Sequence, residues 1–210
     1  GTGAEATPNA IVAVPEKELK VGIVNDEMIP DYVILDGEMI KNLPRKIAAS
    51  TGIDAMAHAI ECFTSNKANP FSDTFALKAF DLIINNIEAA CDDKTADDAR
   101  NNMLIAAFYA GVAITASGTT AVHALSYPLG GKYHIPHGVS NVREKFAAAY
   151  DRVNHNGDAS LSVEEKSAWV LDRMCSIIKH LDIPTSLKEY GVSKDDLDFL
   201  VTAGMDVQRL

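Results

Sequence analysis

With 210 residues, 47% of them hydrophobic, and a formal net charge of −10, the chain can bury one good core and parts of a second, and it does not read as a disordered segment. The acidic balance argues against a nucleic-acid partner, which needs clustered Lys and Arg to displace counterions. Three widely separated cysteines, Cys62, Cys91 and Cys175, do not form a disulfide framework and fit reduced thiols in a cytoplasmic protein.

The first 43 residues differ in texture from the rest. Gly3, Pro8, Pro15 and Pro30 punctuate short β-prone runs at Ala10–Val14, Lys20–Val24 and Tyr32–Leu35, which predict strands and connecting loops. From Pro44 onward the apolar residues recur at helical spacing, and helices are expected at about 44–64, 71–91, 96–116, 119–130, 143–150, 162–181 and 193–208. Residues 44–210 therefore read as an all-helical domain. Pro44 suits the first turn of its helix and Pro70 the start of the next, because a missing N–H costs nothing there. Ser162 followed by Glu165 predicts a capping box. The most apolar stretch, Met103–Ala116, is interrupted by Gly111 and is too short to span a bilayer, so it reads as a buried helix and no membrane partner is expected. A calcium loop at Asn154–Asp158 fails on register: with Gly157 at the sixth position, Arg152 and Val163 fall where carboxylates are required.

Two segments carry chemistry. Asp54 and His58 are four residues apart on a predicted helix, which places carboxylate and imidazole on one face one turn apart. Such a pair suits two ligands of one ion, but it also suits an ordinary Asp–His hydrogen bond. In the stretch from Val122 to Gly138, His123 sits among Ala, Val and Leu, and His137 follows Pro136 in a turn. A histidine in apolar surroundings must find a partner, since an unpaired buried polar group costs about 1–3 kcal/mol. A metal ion is one partner and a backbone carbonyl another.

Taken together, Ser50-Thr51-Gly52-Ile53-Asp54-Ala55-Met56-Ala57-His58-Ala59-Ile60-Glu61, Ala68-Asn69-Pro70-Phe71-Ser72-Asp73, Val122-His123-Ala124-Leu125, Pro136-His137-Gly138-Val139-Ser140-Asn141 and Leu181-Asp182-Ile183-Pro184-Thr185-Ser186-Leu187 resemble the iron-dependent (group III) alcohol dehydrogenases. The resemblance covers essentially the whole chain. It implies a mainly α fold of dehydroquinate synthase-like architecture, with residues 1–43 a remnant of an α/β dinucleotide-binding domain and 44–210 a helical metal-binding catalytic domain. By the same resemblance Asp54, His58, His123 and His137 are the metal ligands, and His123 and His137 also belong to the reacting centre. One carboxylate and three imidazoles suit Fe²⁺ or Zn²⁺ about equally. His134 matches no ligand position, and His155 and His180 read as solvated side chains.

Gly1-Thr2-Gly3-Ala4-Glu5-Ala6-Thr7-Pro8 resembles the family's loop at the nicotinamide end of the cofactor. This implies that Thr2 and Thr7 hydrogen-bond NAD or NADP and that Lys20 lies near its ribose or phosphate, although Lys20 also reads as a solvated strand-end lysine. The implied activity is metal-dependent hydride transfer between a primary alcohol, or its aldehyde, and NAD(P), in a homodimer. A glycerol dehydrogenase-like or dehydroquinate synthase-like metalloenzyme and an inactive helical fragment are the alternatives. Tyr127 stands where many members carry a second histidine. The family's Gly-rich phosphate loop would precede Gly1, a stretch is lacking after Asn141-Val142, and further residues would follow Leu210, so the sequence reads as a truncated product or, the favoured reading, as joined pieces of a longer protein.

Overall fold

The computed structural model describes residues 2–14, 19–120 and 143–205, with only the backbone for 19, 20, 143 and 203–205. Two strands, β1 (Asn9–Val14) and β2 (Leu19–Val24), pair antiparallel in the register Asn9↔Val24 to Val14↔Leu19. Among the described residues six α-helices follow: α1 (Arg45–Thr64), α2 (Pro70–Asp92), α3 (Asp97–Ser117), α4 (Arg143–Val153), α5 (Val163–His180) and α6 (Leu197–Met205). The mainly α expectation is met. None of the described helices is long and apolar enough to cross a membrane.

The core forms where α1, α2 and α3 pack on one another and the α4–α5 pair closes against α2. Along α2, Ala76, Phe80, Ile83, Ile84 and Ile87 repeat every three or four residues and are all buried. The side of α3 facing them is made of Met103, Ala106, Ala107, Ala110 and Ala113, and such small side chains let helices approach closely. Between α4 and α5, Tyr150 and Trp169 meet edge to face at 5.2 Å. Arg173 on α5 donates to both Glu88 carboxylate oxygens and to the Ile84 carbonyl, tying α5 to α2. A small satellite cluster of Val192 and Leu200 with Tyr190 and Phe199 orders α6.

Helix starts follow their capping chemistry. Asn69 accepts from the Phe71 and Ser72 amides and Pro70 opens α2, as expected. The Ser162–Glu165 box caps α5. Three expectations need correction. Pro44 precedes α1 as its N-cap, with an extended ψ of 138°, instead of forming its first turn. Tyr32–Leu35 is not a strand: Tyr32 and Ile34 are 91% and 90% exposed, and no described strand lies beside them to supply ladder hydrogen bonds. The last helix begins at Leu197, because Lys194–Asp196 forms a separate 3-10 turn capped by Ser193. Gly118–Thr120 is not helical, and the rest of the helix expected at 119–130 lies outside the described residues.

Candidate metal centre

Asp54 and His58 lie on α1 one turn apart, and His58 is buried within a helix whose other faces are filled by α2 and α3. His58 Nε2 stands 3.9 Å from Asp54 Oδ2, with the side chains 10% and 25% exposed. At 3.9 Å the two are not hydrogen-bonded to each other, so the plain Asp–His pair that the spacing also allowed is not what the helix builds. Two donors about 2.1 Å from one tetrahedral ion stand roughly 3.4 Å apart. A carboxylate and an imidazole converging in a half-buried setting are the donor types that Fe²⁺ and Zn²⁺ take, so this pair fits one side of a coordination sphere. Among the described residues no third His, Cys, Asp or Glu joins them. His123, His137 and His134 lie outside the described residues.

The next turn of α1 holds two features that sequence reasoning left without a role. Glu61 is 4% exposed, and its Oε2 accepts from both the Thr120 amide, at 2.8 Å, and the Thr120 hydroxyl, at 2.7 Å. Lys145 on α4 donates to the Phe63 carbonyl and places its ammonium 4.8 Å from the centre of the Phe63 ring. The one available signal was a charged residue inside the apolar run Ala59-Ile60-Glu61-Cys62-Phe63, since a buried carboxylate requires donors.

The N-terminal loop is docked on α3. Gly3 adopts φ 75°, and a Cβ there would stand 2.1 Å from the Ala107 carbonyl oxygen; a Cβ on Gly111 would stand 2.2 Å from the Gly3 carbonyl oxygen. Two glycines thus permit direct backbone contact. Thr115 adds a hydrogen bond to the Ala6 carbonyl at 2.9 Å. Thr2 lies half-buried at the start of this loop. Thr7 is 5% exposed; its hydroxyl donates to the Ala4 carbonyl at 3.0 Å and accepts from the Asn9 amide at 3.4 Å. Lys20 sits on β2 opposite Ala13, and its side chain is outside the described residues.

The other two described histidines are not merely solvated. His155 Nε2 lies 2.8 Å from an oxygen of buried Asp81, and His180 Nε2 lies 2.5 Å from Asp92. Asp92 also receives Arg45 Nε at 2.6 Å, and the same guanidinium reaches Asp182 and the His180 carbonyl. The Arg45 hydrogen bond, and then that of His180, hold the Asp92 carboxyl below its ordinary range. Near this clasp a cavity of about 590 Å³ opens between the start of α1 and the end of α2, lined among others by Thr51, Ile87, Cys91, Arg100 and Met103. None of the described candidate residues lines it. Burial pushes the Cys62 thiol up to about 12 and that of Cys91 up to about 11.

Residues 48–210 match the model of the Fe-containing alcohol dehydrogenase family, C-terminal. The chain is 33% identical to 4-hydroxybutyrate dehydrogenase of Clostridium kluyveri over 225 residues, covering 100% of this chain and 59% of that protein. It is 35% identical to alcohol dehydrogenase 4 of Schizosaccharomyces pombe, covering 98% of this chain and 51% of the relative. Among solved structures, a 1,3-propanediol oxidoreductase superposes with a TM-score of 0.89 at 28% identity, covering 100% of this chain and 58% of that one. Sulfoacetaldehyde reductase from Bifidobacterium kashiwanohense, solved with NAD⁺, gives 0.77 at 29% identity, over 100% and 57% of the two chains. The chain spans between about half and three-fifths of the length of these relatives. With its helical core, its Asp54–His58 pair and this match over most of its length, the chain belongs to the Fe-containing alcohol dehydrogenase family.

Proposed function

We infer that this chain forms the metal-binding part of an NAD(P)-dependent alcohol dehydrogenase that interconverts a primary alcohol and its aldehyde. The observation that carries the reading is the half-buried Asp54–His58 pair, 3.9 Å apart and not hydrogen-bonded to each other, inside the region that matches the family. His123 and His137 complete the donor set by their sequence match.

Asp54 supplies the anionic donor and His58 a neutral imidazole, and burial of His58 keeps water from competing for its place. When bound, Fe²⁺ or Zn²⁺ would supply Lewis acidity toward a substrate oxygen and the nicotinamide the hydride chemistry. The N-terminal loop is the part of this chain assigned to the cofactor. Its docking on α3 through Gly3, Gly111 and Thr115 fixes the loop before cofactor arrives, which lowers the ordering cost of binding. The Thr7 proton is committed to the Ala4 carbonyl, so Thr7 contributes by shaping the loop and through its oxygen as an acceptor. Thr2 and Lys20 complete the proposed cofactor contacts, and the NAD⁺ complex of a relative favours NAD. Residues 1–43 belong, in this reading, to the nucleotide-binding domain and 44–210 to the catalytic one. A cytoplasmic homodimer is the expected form, the reduced cysteines and the commonness of twofold assemblies supporting it.

Aldehyde-dependent oxidation of NADH, assayed in the protein that carries these residues, should require Fe²⁺ or Zn²⁺ and disappear in Asp54→Asn and His58→Gln. Turnover that survives both a chelator and those substitutions would overturn the reading.

A further inference from the structure

The cavity of about 590 Å³ between the start of α1 and the end of α2 has no part in the metal-site reading, and its lining departs from the rest of the chain in charge. The protein is acidic, at −10 overall. Its cavity lining nevertheless holds the cations Lys41, Arg45, Lys94 and Arg100 against a single carboxylate, Asp92. Asp92 is engaged by Arg45 and His180, so Lys41, Lys94 and Arg100 have no counter-charge within the lining. The carboxylates beside two of them face outward: Glu38, next to Lys41, and Asp97, next to Arg100, have side chains 71% and 61% exposed. Water and salt screen such surface partners. Lys94 has no ion pair among the described residues.

Arg100 is buried, 6% exposed, and its guanidinium is fixed by the Asp93 carbonyl and by Asp97. These bonds use part of a fork that carries five N–H donors. The opposite character comes from Leu43, Ala48, Ile87 and Met103, of which Ile87 is 1% and Met103 9% exposed, so the cavity reaches down to the helical core. A Cβ on Gly52 would stand 2.9 Å from Ile87 Cδ1 and 3.1 Å from Met103 Cε, and the missing side chain leaves both tips room to line the space. The volume falls within the range of small-molecule sites, about 300–1,000 Å³. A wholly apolar ligand would desolvate the Arg100 guanidinium without offering it an acceptor, and a small hydrated anion would leave the aliphatic lining wet. We propose that this cavity binds an organic anion with an aliphatic body of several carbons, its carboxylate or phosphate toward Lys41, Lys94 and Arg100 and its chain against Ile87 and Met103. From Gly52 to His58 α1 advances by about 9 Å, so this site is separate from the proposed metal centre, and its occupancy requires no metal.

The test reads binding at the cavity itself. Met103 is one of six methionines; in the chain carrying ¹³C-methyl methionine, with metal removed by a chelator, its resonance is assigned from Met103→Leu. Titration with octanoate and with octyl phosphate distinguishes the two sources of the charge, and at least one of them should shift the Met103 resonance saturably. 1-Octanol has a chain of the same length and no charge, and should bind about tenfold more weakly or worse. Lys41→Glu combined with Lys94→Glu alters two exposed side chains and leaves the core untouched. It should weaken binding of the anion about tenfold and flatten its dependence on salt. A Met103 resonance that neither anion moves, 1-octanol binding as tightly as the anions, or an unchanged affinity in the folded charge-reversed variant would each overturn the proposal.

Discussion

Replacing Gly111 by alanine sets two known effects against each other. Alanine in a helix interior is favoured over glycine by about 1 kcal/mol, so an α3 whose surroundings were open would gain stability. Here the new methyl would lie 2.2 Å from the Gly3 carbonyl oxygen and 3.0 Å from the Ala6 Cβ, the first contact more than about 1 Å inside van der Waals separation. Both obstacles belong to the docked N-terminal loop, which must lift. Displacing packed backbone costs about 1–3 kcal/mol, and losing the Thr115 bond to Ala6 adds about 1 kcal/mol. Subtracting the helix gain leaves a net destabilisation of about 1–3 kcal/mol, with the local opening of residues 2–8 larger than the global change. Urea unfolding gives the global term, and amide hydrogen exchange of residues 2–8 gives the local one. A variant that is more stable than wild type, with unchanged exchange in the loop, would refute the interlock between Gly3 and Gly111.

Other consequences follow from the same contacts. Substituting Asp92 by Asn should lower the melting temperature at neutral pH and make little difference in acid. The Asp92 carboxyl is held below its ordinary range by Arg45 and then His180, so its stabilisation is full above the unfolded-state value of about 4 and fades as pH falls through the lower folded value; a gap between wild type and variant that does not narrow as pH falls below about 4 would contradict this. Iodoacetamide near neutral pH should label exposed Cys175 and spare Cys62, whose thiol burial has pushed up to about 12, since only the thiolate reacts; mass spectrometry showing early labelling of Cys62 would refute its placement. Asn69→Ala removes the acceptor for two amides at the start of α2 and a bond to Ala116, and should cost about 1–2 kcal/mol in urea unfolding.

What the sequence made legible is what short-range physics decides. The spacing of Phe80, Ile83, Ile84 and Ile87 marks α2 without reference to any other element, and the Ser162–Glu165 box marks the start of α5 within four residues. Tyr32–Leu35 was misread because β propensity is realised only when a neighbouring strand supplies partners. The pairing of His155 with Asp81 and of His180 with Asp92 joins residues 74 and 88 positions apart, distances that no local pattern encodes. For the candidate site, Asp54 and His58 could be paired from their spacing, but that the two are not hydrogen-bonded to each other required the fold. Glu61 was visible as a charge in an apolar run, yet Thr120, which donates to it, is 59 residues away, so the contact could not be read from sequence.

X-ray absorption at the metal edge of the chain loaded with Fe²⁺ or Zn²⁺ tests most directly whether Asp54 and His58 share an ion with two further histidines. The account predicts only nitrogen and oxygen neighbours at about 2.0–2.2 Å, with outer-shell scattering from three imidazoles that drops by one in His58→Gln. Sulfur scattering at about 2.3 Å, or an imidazole count unchanged in His58→Gln, would contradict it.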